Sequence, residues 1–491
     1  MNKLALPILT LALAAGLASA QTPPRVYTNP VIPTVDALNR VGLKLAWKTA
    51  LPVEDSRDGI ATTQVVGDRI FVQLRNGAVL AINADTGQTI WRARVGQAYK
   101  VMVGLGFNYD SVFGVNGTRL FALDRASGRT KWESDLPNVP TAAPVADSMR
   151  AYVCLTGNRI NVYRLPVPDL DGFMPEGAKP PPPPAKPAAP GKIEPLPPPP
   201  DTGPRRSSLG TYYGSESRVA TPLTSGNRPG NVTYTPLASA LQTSQSLAKG
   251  YELPLSWEYL ADSRLAIAPL LSLRKPGEGP GFLMLPSARG TMYGSSKAGR
   301  ALVYSFQTEG PVSAPPGQYG DIAYIPYEDD TLVAMNIENG KLLWRVAMGG
   351  TSRRRPEVTD EDVYMMPERS GLYRLNRATG EVIWHNPKAE QFLAANPQSV
   401  YALDRRGQVL ILDRARGTQI GTLDIRDFSV PMVNDYTDRM YLAAHDGLLI
   451  CLYDRHYDKP AWNKQLLEEK KPEPPKKADA MGEKMAAPEK Q

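Results

Sequence analysis

Cysteine and histidine are scarce in this chain of 491 residues, which holds two of the first and three of the second. Cys154 and Cys451 lie far apart, each inside an apolar run of strand character (151–155 and 448–452). That excludes a disulfide framework and fits buried free thiols. His385, His445 and His456 lack metal-ligand spacing to Cys or carboxylates, so surface and turn roles are expected for them. Charge of one sign is also missing: 56 basic against 49 acidic residues leave +7, too little for this length to imply a nucleic-acid partner. Beyond the N-terminus no apolar run is long enough to span a bilayer. No phosphate-cradling glycine loop and no nucleophile elbow is present.

What is abundant is proline, 47 residues, with 41 glycines. So much proline argues against long helices and for a low-complexity stretch. That stretch is 180–200, where 12 of 21 residues are proline, inside an insertion at 166–250 whose second half is rich in Ser, Thr, Gly and Tyr. An extended spacer in a disordered surface loop is expected there, with a recognition strip for an aromatic-lined groove as the alternative. Residues 1–20 read as a secretory signal: Lys3, an apolar core from Leu4 to Leu17, and the small-residue site Ala18-Ser19-Ala20. A lead at 21–42 follows, and 466–491 reads as a charged, disordered tail. The address expected is the periplasm or the outside of the cell, and no cysteine follows the apolar core to carry a lipid.

The remaining residues repeat. Trp47, Trp91, Trp132, Trp257, Trp344, Trp384 and Trp462 are spaced by about 40 residues or about twice that, except across the insertion. Glycine stands four residues before the marker at Gly87, Gly128, Gly340, Gly380 and Gly417; in the last case Gly421 replaces the tryptophan, and Tyr304 stands in for it in a poorly marked period. Asn83, Asp124, Asn336, Asn376, Asp413 and Asp454 recur eight residues before it. Each period alternates β-rich runs with Asn-Gly and Thr-Gly turns, as hairpins require. A four-stranded meander cannot bury both faces alone, and ring closure solves this. The fold expected is all-β: a propeller over 43–465 of eight four-stranded blades, with seven the alternative count. The markers would dock between blades, and the Trp47 strand would fasten the ring beside the last one.

The segment from Ala81 to Trp91, repeated in Ala122 to Trp132 and Ala334 to Trp344, resembles the tryptophan-docking repeat of PQQ-like β-propellers. That family includes quinoprotein dehydrogenases and non-enzymatic propellers similar to an outer-membrane barrel-assembly lipoprotein, so fold alone does not assign a function. A dehydrogenase of this family implies PQQ with Ca²⁺ held by Glu, Asn and Asp in the channel, a catalytic Asp and, often, adjacent cysteines. This chain has no adjacent cysteines. A scaffold without cofactor or metal is therefore the first expectation, binding an envelope protein or extended peptide and itself a monomer. The loops that link blades, and the middle hairpins, share one rim that carries Arg57, Arg75, Lys100, Arg353, Arg354, Arg355, Arg369, Arg405 and Arg406. Such guanidinium groups hold carboxylates or phosphates well, which adds an anionic envelope polysaccharide as an alternative ligand. Arg353 to Arg355 is the leading candidate, since three consecutive arginines are not expected all to pair locally.

Overall fold

The computed structural model describes residues 30–53, 58–166, 253–273 and 281–465. The signal at 1–20, Arg57, nearly all of the insertion and the tail at 466–491 lie outside the described residues. Within them, eight antiparallel sheets of four strands form a β-propeller, preceded by one short helix, Val35–Arg40. Seven blades are sequential meanders at 60–94, 105–135, 145–260, 270–307, 317–347, 357–386 and 389–424. Blade 8 takes three strands from 430–454 and its fourth, Leu43–Ala50, from the start of the fold. The Trp47 strand is thus the outer strand of the last blade, and the ring is closed by backbone hydrogen bonds between its two ends. The insertion point falls in blade 3, between the strands Arg159–Arg164 and Leu255–Leu260.

Each blade-to-blade contact has its own apolar slab, eight in all among the described residues, and none is shared across the ring. The slabs are built from a triplet in register across strands two, three and four. Phe71, Ala81 and Trp91 align in blade 1; Phe113, Ala122 and Trp132 in blade 2; Tyr324, Ala334 and Trp344 in blade 5. A small residue in the middle lets the two rings meet over it, as for Phe113 and Trp132 at 6.0 Å and Tyr324 and Trp344 at 5.8 Å.

The marker ring then reaches the next blade. Trp47, Trp91, Trp344 and Trp384 donate their indole N–H to the carbonyls of Ala84 (3.0 Å), Arg125 (3.0 Å), Arg377 (3.1 Å) and Arg414 (2.8 Å). Three residues after each carbonyl stands the repeated glycine, in the left-handed region, for example Gly380 at φ 75°. A Cβ on Gly380 would lie 2.6 Å from the Trp344 ring, and Gly87, Gly128 and Gly417 are as crowded by theirs. The Asn or Asp four residues earlier shapes the turn: Asn83 Oδ1 accepts from the backbone N–H of Asp85 (3.0 Å) and Thr86 (2.8 Å).

Several places depart from this scheme. Trp462, expected to dock like the others, follows the last strand of blade 8 and is 56% exposed. Its place in the spacing is taken by Trp47, because closure supplies the outer strand from the other end of the fold. In blade 7, Gly421 leaves room that Val41, next to the helix, fills: a Cβ on Gly421 would lie 3.5 Å from its side chain. In blade 4 the triplet is Met284, Gly294 and Tyr304, with both flanking side chains reduced in size.

Ring docking on bare glycine predicts a graded cost. Gly380→Ala should lose about 3 kcal/mol in urea unfolding, from steric clash added to backbone strain. Gly157→Ala, at φ 85° with nothing within 4 Å of the new Cβ, should lose only about 1 kcal/mol, from strain alone.

Candidate functional site

The interblade loops and the turns between strands two and three share one end of the ring. Arg75, Arg369 and Arg406 are exposed in such turns of blades 1, 6 and 7, and Lys100 is exposed on the loop between blades 1 and 2. None of these four forms an ion pair with another described residue. The others do. Arg353 pairs with Glu328 at 3.1 Å, Arg354 with the Gln391 amide, and Arg405 with Glu390. Arg355 turns away from the rim and contacts Glu357 at 2.6 Å and Asp435 at 3.7 Å. Of Arg353 to Arg355, not expected all to pair locally, two meet acids on the neighbouring turn, on an inner strand and on the loop after another, and the third meets an amide. Asp58 is buried beside the Arg75 turn and caps it, accepting from Asn76 Nδ2 at 2.7 Å.

The same end carries a feature that charge counting misses. Tyr99 and Val101 are each 58% exposed on the loop between blades 1 and 2, and Val139 is 40% exposed on the loop between blades 2 and 3. These loops are held by backbone hydrogen bonds to the turns they cross: Tyr99 N–H to Arg75 C=O (2.9 Å), Gly117 N–H to Val101 C=O (3.0 Å) and Thr156 N–H to Val139 C=O (2.9 Å). Tyr99 adopts φ 60°, uncommon for a residue with a side chain and costing of order 1–3 kcal/mol. The outcome is three apolar side chains on fixed supports, with Arg75 and Lys100 on the same loops and turns. The signal in the sequence is apolar residues placed in a linking loop rather than in a strand.

The first strands of neighbouring blades meet around a central channel that encloses a cavity of 470 Å³. Gln64, Ala146, Leu271, Gln318, Arg355 and Lys464 are among the residues that line it. Lys464 belongs to a C-terminal strand of chain crossing the opposite end of the ring, tied by Ala461 N–H to Asp438 Oδ1 (3.0 Å), Asn463 N–H to Tyr436 C=O (2.7 Å) and Asp360 N–H to Asn463 C=O (2.8 Å). Its ammonium lies 2.9 Å from Asp435. Two buried acids thus face two cations. Burial pushes Glu357 up despite Arg355, whereas at Asp435 the cations Lys464 and Arg355 outweigh burial and hold the carboxyl below its usual range.

Glu357 and Asp435 are thus matched by cations at the channel, and among the described residues no group of three or more His, Cys, Asp or Glu is placed to hold a metal. Cys154 and Cys451 are buried in different blades, with burial raising the Cys154 thiol to about 12. His385 stacks on Tyr373, and His456 pairs with Asp454 at 2.8 Å. No helix among the described residues is long and apolar enough to cross a membrane.

A profile of the family described as "Outer membrane protein assembly factor BamB" matches residues 12–165 and 288–480, more than half of the chain. The chain belongs to that family. It is 24% identical over 138 residues to the outer membrane protein assembly factor BamB of Shewanella oneidensis, covering 26% of this chain and 34% of that one. A polyvinylalcohol dehydrogenase of a Pseudomonas species is 32% identical over 133 residues, 26% of this chain and 19% of the relative. The chain thus spans about a third or less of the curated relatives it matches. Among solved structures, BamB from Moraxella catarrhalis superposes with a TM-score of 0.52 at 13% identity, over 84% of this chain and 98% of that one. A computationally designed protein, Ika8, gives 0.50 at 11% identity, over 82% and 98%. These two show a shared fold.

The C-terminal crossing makes a pH prediction. Asp438 is fully buried, its Oδ2 has no hydrogen-bond partner, and burial pushes its pKa up to about 6 against the opposing pull of Arg439. A folded pKa above the unfolded one means the native state holds the extra proton between about pH 4 and 6, so this group costs stability as pH rises through that window. Asp438→Asn should remove that slope and be more stable than the parent at pH 7 by about 1–3 kcal/mol, measured by urea unfolding at pH 4 to 7.

Proposed function

We propose that the chain is a protein-interaction scaffold of the cell envelope, periplasmic or secreted, which offers the loop face of blades 1 to 3 to another envelope protein. The single observation that carries this is the group Tyr99, Val101 and Val139, exposed on loops fixed by backbone hydrogen bonds. Rigid aromatic and aliphatic side chains lose little entropy on contact, and a strained residue at φ 60° costs free energy that packing alone does not explain. Arg75 and Lys100 add a basic edge suited to an acidic rim on the partner. Membership of the BamB family supports the reading, since the relatives' name is that of an assembly factor. An extended peptide is a partner of the same kind, and no cofactor enters this reading.

A second reading is favoured by the similarity to polyvinylalcohol dehydrogenase: oxidation of an alcohol with a quinone in the channel. The matched charges of Arg355, Glu357, Asp435 and Lys464 weigh against it. The pairing of Arg353 and Arg355 weakens the case for an anionic polysaccharide as ligand, leaving it to Arg75, Lys100, Arg369 and Arg406.

The test is site-specific photo-crosslinking in intact cells. A photoreactive phenylalanine at Tyr99 should capture one discrete protein, and Val101→Glu with Val139→Glu should lower that capture about tenfold or more, with the melting temperature unchanged. Capture no greater than from an equivalent probe at the exposed turn residue Asn339, at the other end of the ring, would reject this face as the docking surface.

A further inference from the structure

The interface between blades 4 and 5 differs from the others. Its marker is Tyr304, whose hydroxyl still donates to Ile337 C=O at 2.7 Å, but the strand-two aromatic is replaced by Met284. Both substitutions remove ring volume from the slab, and Phe306 restores part of it by stacking on Tyr304 at 5.9 Å. Beside this interface, between the outer strand of blade 4 and the third and fourth strands of blade 5, a cavity of 270 Å³ opens at the outer surface. Its walls include Phe306, Tyr327, Met335 and Leu342, a largely apolar set with two aromatic rings and a thioether, which suits a flat ring. Leu342 is itself half exposed.

Two polar features interrupt those walls. Tyr327 is 96% buried by its 4% exposure, and its hydroxyl has no hydrogen-bond partner among the described residues. A buried hydroxyl left unpaired costs free energy, so its retention calls for a partner. The charges of Asp329 and Arg345, which line the same cavity, both act on this phenol, placing it within their electrostatic reach. The second feature is an ion triad among lining residues: Arg345 Nη2 lies 2.6 Å from Glu309 and 2.7 Å from Asp329. Two carboxylates against one guanidinium leave a net negative charge there.

We propose that this cavity is a binding site for a small aromatic amine: a ring of phenol to indole size, with one ring hydrogen-bonding group for Tyr327 and an ammonium for Glu309 and Asp329. The size fits a fragment rather than a cofactor, since ordinary ligand pockets run from about 300 to 1,000 Å³. The ring would lie between Phe306 and Met335, and the ammonium would meet the carboxylate surplus, with the aromatic faces adding cation–π attraction. The site is separate from the loop face of blades 1 to 3, so its failure would leave the scaffold reading intact.

The experiment is titration calorimetry of the full chain with tryptamine and, as the charge-reversed probe, indole-3-acetate. Tryptamine should bind saturably with a Kd on the order of 1 mM or tighter, and at least about fivefold better than indole-3-acetate. Tyr327→Phe, which removes only the unpaired hydroxyl, should weaken tryptamine about fivefold without lowering the melting temperature. Met335→Trp, which fills the cavity, should abolish binding. No saturation by about 10 mM, equal binding of the two probes, or a Tyr327→Phe variant that binds as the parent does would each overturn the proposal.

Discussion

An aromatic ring seated on a glycine of the next blade is the contact from which the rest of this molecule follows. The glycine has no side chain because the ring occupies that space, and it sits at positive φ because the turn beneath the ring must reverse tightly. The indole N–H then satisfies a carbonyl that the turn leaves buried. One contact thereby combines apolar burial, a hydrogen bond and a turn constraint. Its repetition around the ring spares the fold a single central core: stability is distributed over eight slabs, and the middle is left open as a channel.

That distribution explains why the fold tolerates local departures. Blade 3 accepts an insertion between its last two strands because Trp132 of the preceding blade is still buried in a slab with Tyr163, Leu165 and Leu253. Blade 7 dispenses with its ring because Val41 takes its place beside Gly421. Blade 4 keeps the hydrogen bond with a phenol, and a cavity lies beside that interface. Each departure is contained between two blades, and each creates something the regular blades lack. The loop face and the channel share this logic, since turns and inner strands belong to rigid blades whose relative placement is set by docking.

The fold was legible because ring, glycine and turn-capping amide recur at fixed spacing, and that spacing is the docking contact written along the chain. The strand-two aromatics, Tyr324 and Tyr364 for example, are equally regular but stand among varied apolar neighbours, where no turn marks them. Trp462 was misplaced for a physical reason: equal spacing suggests another outer strand, while closure had already taken that strand from Leu43–Ala50. The candidate site was far less legible. Arg353 meets Glu328 on the turn of its own neighbouring hairpin, which does not show in local sequence, whereas Arg355 meets Glu357 two residues on as well as Asp435 from a different blade. Tyr99 and Val101 look like ordinary apolar residues until the loop that carries them is seen to lie outside every slab.

The central claim, that this propeller works by holding another protein rather than by oxidising a substrate, is tested most directly by native mass spectrometry of the protein purified gently from its own cells with Ca²⁺ retained. The account predicts a discrete protein bound to the chain and no added mass of a quinone with Ca²⁺. A chain that carries the mass of PQQ plus Ca²⁺, with no protein bound, would contradict it.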